Sequence, residues 1–216
     1  MSDTDSFIDE VSEEVRRDRL FALMRRYGWI AVLLVVLVVG GAAFREYSKA
    51  SDRAAAQAFG DSILAALEAD EPQDRVTALA AIEAEDAGAR AVLRMLIASE
   101  EAAAGNDAAA VEQLNTAARD GDLPEIYREI ASFKALVRSD AGVDERRIGF
   151  EALAIPGNPL RLLAEEQLAL IAVETGDTDD AIARLQRIIA DAEVTSGLRR
   201  RASQLIVALG GTLEAG

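Results

Sequence analysis

Cysteine and histidine are both absent from the 216 residues. Without a thiol there is no disulfide, no thiolate nucleophile and no cysteine-ligated zinc or iron–sulfur site. Without an imidazole there is no catalytic triad of the usual kind, no imidazole base and no common transition-metal cluster. Lysine is reduced to Lys49 and Lys134 against 21 arginines, so a Schiff-base enzyme has two candidates at most. An enzyme is therefore the disfavoured class, and no metal, cofactor or small-molecule substrate is expected. Cations are short as a whole, 23 against 38 carboxylates for a net charge of −15. Neutralising phosphates needs the opposite balance, which argues against a nucleic-acid partner. Aromatic side chains number only ten, whereas alanines number 43. That composition predicts an all-α chain of closely packed helices.

Charge is also missing from one long stretch. Tyr27 to Phe44, YGWIAVLLVVLVVGGAAF, runs 18 residues without a charged side chain and is bracketed by Arg25–Arg26 and Arg45. As a helix rising about 1.5 Å per residue it reaches roughly 27 Å, close to the ~30 Å hydrocarbon core of a bilayer. A buried core helix would carry polar residues on some face, and this stretch has none. A cleaved signal peptide is the nearer rival, because Gly40 to Ala43 are small. However, 26 residues with seven carboxylates precede the run, and it exceeds the about 7–15 apolar residues of such a peptide.

The expectation is an uncleaved single-span anchor with Tyr27 and Trp29 in the interfacial belt. Arg16, Arg17, Arg19, Arg25 and Arg26 precede it, against Arg45, Lys49 and Arg53 after it. Positive-inside counting then puts the N-terminus in the cytoplasm and the rest across the membrane, in a bacterial cell the inner membrane and periplasm. The plan is a cytoplasmic head (1–26), a membrane helix (27–44) and a periplasmic domain (45–216), with net charges of 5 − 7 = −2 up to the end of the span and 18 − 31 = −13 beyond it. In the head, Ser6 opens a capping-box-like start, and Phe7, Val11 and Val15 recur at helical spacing. An amphipathic helix is expected there, as a solvated lead-in or as a docking surface.

Beyond the span no segment alternates with period two. Apolar and alanine positions recur at three and four, interrupted at Pro72, Gly105, Pro124, Pro156, Pro159 and Gly176. This predicts helices over 45–69, 73–84, 88–104, 107–119, 124–138, 144–154, 159–175, 178–192 and 196–209, with Asn158 capping and Pro159 at the first helical position. Two of the resulting hairpins match. Ala98 and Ala169 stand seven residues before Gly105 and Gly176, Ala110 and Ala181 five after, and Leu114 and Leu185 nine after. Small residues let antiparallel helices approach, the glycine takes the turn conformation, and the leucine fills the gap between hairpins. The spacing resembles the tetratricopeptide repeat, whose period is 34 residues. The two glycines are 71 apart, or 2 × 34 + 3, which leaves room for an irregular hairpin at 124–154 with Ala131 in register with Ala98.

The layout as a whole resembles the ancillary SecYEG translocon subunit family, the YfgM-like proteins. The resemblance rests on the head FIDEVSEEVRRDRLFALMRRYGW, the span starting at 27–29, the alanine-rich helix from Glu46 to Ala69, and the divergent repeats at Gly105 and Gly176. It implies a periplasmic domain tethered near the protein-export channel. There it would act as a chaperone with translocon components and a membrane-anchored folding factor, without catalytic residues. A scaffold or assembly factor for another envelope complex, respiratory or of cell division, is the alternative. With each turn glycine at the fifteenth repeat position, the concave peptide-binding face implied by the repeat type comprises Val92, Met95, Ser99 and Ala102, then Leu163, Glu166, Leu170 and Val173. This set has no lysine or arginine to clamp a carboxylate, so an extended apolar segment is its expected ligand. The side chains could equally be covered by a neighbouring hairpin.

Other motifs lead to plainer expectations. Asp177-Thr178-Asp179-Asp180 lacks the glycine and the final glutamate of a calcium loop, and acidic residues at a helix N-terminus explain it. Glu100-Glu101 and Glu165-Glu166 are adjacent and so do not face each other on a helix; they read as solvated faces. Arg199-Arg200-Arg201 reads as a solubilising face.

Overall fold

The computed structural model describes residues 3–212, with side chains from residue 24 onward except residue 31. Every regular element among the described residues is an α-helix: α1 Asp3–Leu67, α2 Pro72–Ala80, α3 Ala87–Ala103, α4 Asp107–Ala118, α5 Glu125–Arg138, α6 Val143–Leu153, α7 Arg161–Glu174, α8 Thr178–Ala190 and α9 Ser196–Ala208. The chain divides into two compact units, Met1–Gly60 and Asp61–Gly216.

The first unit is the greater part of α1. This helix is 65 residues long, about 98 Å at 1.5 Å per residue. One unbroken helix takes in the described part of the head, the uncharged run and the segment after it. Backbone hydrogen bonds run on regardless of the change from apolar to charged side chains, and no proline interrupts them. Ser6 lies inside α1 and is not its cap. The expected apolar face of Phe7, Val11 and Val15 falls outside the described side chains. Within Met24–Leu67 the helix is long and apolar enough to cross a membrane. Residues 32–58 are exposed throughout, and the compact second unit begins at Asp61. The Arg26 guanidinium lies 5.7 Å from the centre of the Tyr27 ring, a cation–π geometry.

In the second unit each helix from α2 to α9 packs on the next in sequence, and α3 also touches α5. Where alanine lines the contacts the helices meet through small side chains. Ala98, Ala110, Leu114 and Ala135 form one buried cluster of α3, α4 and α5, and Ala91, Ala117, Leu123 and Ala131 another. Larger side chains fill the rest. Phe150, Leu153, Ala164, Leu168 and Ile171 join α6 to α7, and Ala169, Leu185, Ile188, Leu198, Ala202 and Ile206 join α7, α8 and α9. The pattern residues Ala98, Ala110, Leu114, Ala169, Ala181 and Leu185 are all buried. The observed helices stay within a few residues of the expected spans, with two corrections. The helix expected over 73–84 ends at Ala80. The helix expected from Pro159 starts at Arg161, because the Asn158 carboxamide oxygen accepts from the Leu160 N–H at 2.7 Å and closes a turn first.

Gly105 and Gly176 end α3 and α7 with φ of +82° and +80°. The N–H of the residue after each reaches back to a helical carbonyl, Asn106 to Glu101 and Asp177 to Ala172, both at 2.8 Å. This satisfies carbonyls that the helix end would otherwise leave unpaired. A Cβ at Gly176 meets no other atom within 4 Å, so the demand for glycine there is conformational alone. Gly176→Ala is expected to cost about 1–2 kcal/mol, the ordinary penalty of left-handed backbone for an L residue. Urea unfolding of the variant measures this, and an unchanged midpoint would show that the turn relaxes without strain.

Candidate functional site

The expected concave-face residues separate into three groups. Val92, Leu170 and Val173 are 42%, 39% and 37% exposed, and Ser99 is exposed as well. Met95, Ala102 and Leu163 are half-buried. Met95 packs against both alanine-lined clusters, Ala102 against one of them, and Leu163 against the α7–α9 cluster. Neighbouring helices therefore cover part of the face and leave an apolar remainder on α3 and α7.

Glu166 is the correction. Only 6% exposed, it receives Nε and Nη2 of Arg201 on its two carboxylate oxygens at 2.8 and 2.7 Å. It anchors α9 to α7 and offers nothing to a ligand. The bond also raises the pKa of Arg201. Arg201 is thus an interhelix tie, whereas Arg199 and Arg200 are exposed.

The other carboxylates expected on solvated faces behave in the same way. Glu100 accepts from Arg75 Nε at 2.6 Å, while Arg75 Nη1 binds the carbonyls of Ala69 and Asp70 at 2.9 and 2.8 Å. Glu165 accepts from Arg184 Nη1 at 2.9 Å, and the same guanidinium donates through Nε to Asp180 at 2.8 Å. Arg161 spans Asp191 and Glu193 at 2.9 and 2.8 Å. Together with the Glu193 backbone N–H, Arg161 holds the Asp191 carboxyl below the usual range. Each guanidinium meets two or three acceptors in fixed directions, which a single ammonium does less well. The scarcity of lysine follows from this use of arginine.

The Glu166–Arg201 tie has a measurable weight. Arg201→Leu leaves a buried carboxylate without its partner and is expected to cost about 1–3 kcal/mol, less than a fully buried pair because Arg201 is 53% exposed. Adding Glu166→Leu removes the stranded charge and should recover most of that loss. Four urea-unfolding curves complete the double-mutant cycle. Additive effects would mean that the two side chains are not energetically coupled.

Among the described residues of the second unit, surface clefts include the following. One of about 450 Å³ is lined by Arg161, Leu163, Glu193, Leu198 and Arg201 among others, and one of about 250 Å³ by Arg147, Asp177, Asp180 and Arg184 among others. Their cations are already in ion pairs. Asp177 caps α8, accepting from the Asp180 N–H at 3.1 Å. Among the described residues no group of three or more acidic side chains could hold a metal ion. A third cleft, of about 500 Å³, adjoins α5 and the start of α4.

Gly210 escaped the sequence reading. It closes α9 with φ +83°, and the Gly211 N–H reaches the Ile206 carbonyl at 2.9 Å, the same ending as at Gly105 and Gly176. The signal was present, since Gly210 stands 210 − 176 = 34 residues after Gly176. No protein-family model, curated protein or solved structure matches the chain.

Proposed function

We propose that the chain is a single-span, N-in protein of the bacterial inner membrane. Its periplasmic unit is a divergent tetratricopeptide-repeat-like hairpin array that holds apolar segments of other proteins at the Sec export channel. The observation that carries this reading is the exposure of the apolar side chains Val92 on α3 and Leu170 and Val173 on α7. Such side chains stay in water at a cost unless a partner covers them. The repeat reading is supported by the common ending of α3, α7 and α9, by the 34-residue interval between the last two glycines and by the helix-on-next-helix packing. The mechanism is positioning and transient holding. The membrane tether supplies local concentration, so each contact can be weak.

A photocrosslinking residue at Leu170, and separately at Val92, in the full chain in native membranes tests the reading. Adducts with translocon components and with a membrane-anchored folding factor are expected. Leu170→Glu with Val173→Glu should reduce them about tenfold while the protein stays folded, because two carboxylates in an apolar contact are unpaired. Adducts confined to a respiratory or division complex would overturn the export assignment in favour of a scaffold. An undiminished adduct pattern in the folded double variant would overturn the apolar face.

A further inference from the structure

The cleft beside α5 differs from the other two. It is lined by Phe133, Lys134, Val137 and Arg138 of α5 and by Asp107 in the first turn of α4, and it measures about 500 Å³. Phe133 and Val137 are four residues apart and form one row along the helix; Lys134 and Arg138 form a second row directly beside it. Val137 is 50% exposed, and both cations are exposed. The guanidinium groups of the other clefts sit in carboxylate pairs, but Lys134 and Arg138 take part in none among the described residues. Asp107 leaves the lining with one net positive charge, on a unit that is strongly acidic beyond the span.

We infer that this cleft is a second docking site, for a short amphipathic helix of a partner protein that carries apolar residues and carboxylates in adjacent rows at i, i+4. The rows on α5 are about 6 Å long, four residues at 1.5 Å rise, which matches one turn of a partner helix. The apolar row of the partner covers Val137 and the exposed edge of Phe133, and its carboxylates meet Lys134 and Arg138. Charge selects the partner. A segment of the chain's own net sign is drawn to this patch, where two exposed cations outside the ion pairs stand beside an exposed apolar side chain. The site shares no residue with the exposed set Val92, Leu170 and Val173, so it stands without the export reading.

The test uses the full chain in lipid nanodiscs and a fluorescent fifteen-residue helical peptide with leucine and glutamate in adjacent rows. Saturable binding that weakens with salt is expected from fluorescence anisotropy. The glutamine version of the peptide and the Lys134→Glu, Arg138→Glu double variant should each bind about tenfold more weakly or worse. Because those two residues are exposed, the variant should keep its fold, which circular dichroism verifies. Leu170→Glu with Val173→Glu should leave this binding unchanged; if it weakens binding equally, the peptide sits on the other face and the assignment is wrong. Equal binding of the glutamate and glutamine peptides, or none at salt-free conditions, also overturns it.

Discussion

Phe150→Ala lowers the unfolding free energy of the helical unit by about 3–5 kcal/mol, the usual cost of emptying a ring-sized space in a packed core. Phe150 is 1% exposed and among the largest fully buried side chains of the chain. It packs with Leu153, Ala164, Leu168 and Ile171, and its ring meets Phe133 edge-on, with centroids 5.6 Å apart and planes at 69°. Against a total of roughly 5–15 kcal/mol for an ordinary domain, this loss should bring the midpoint of urea unfolding down sharply. A change below about 1 kcal/mol, far under the usual range for such truncations, would show that the surrounding helices close the space.

Leu34→Arg together with Val38→Arg should release the chain from the membrane. The two positions stand one helical turn apart in the middle of the uncharged run, and both are exposed. Each arginine at the centre of a membrane helix costs about 2.5–3.5 kcal/mol on insertion scales, so the pair offsets the apolar gain of the whole segment. Fractionation with alkaline carbonate reads the result: the wild-type chain in the pellet, the double variant in the supernatant. Retention of the variant in the pellet would mean that another part of the chain holds it there.

The features legible before the structure share one property, that the residues concerned act on their immediate neighbours. The uncharged run from Tyr27, the turn glycines 105 and 176, and the small residues at Ala98 and Ala169 are of this kind, because helix period and turn conformation are local matters. What escaped depends on residues far apart. Glu166 looked like a groove or surface residue because its partner, Arg201, lies 35 positions away on another helix. Glu100 and Arg75, 25 apart, were hidden for the same reason. The start of α7 was misjudged for a different cause: Asn158 can cap a helix or close a turn with the same side-chain oxygen, and only the path of the backbone distinguishes them.

The packing of each helix on its sequence neighbour bears on how the unit is made. A chain emerging from a narrow channel presents its N-terminal residues first, and here each helix from α3 to α9 packs on the helix just before it. Among the described residues no helix takes its main packing from a partner far along the chain, and side-chain tethers such as Arg201 to Glu166 supply the longer-range links. Such a topology has low contact order and folds quickly, in step with its own delivery. Maturation can then advance one helix at a time as the chain emerges.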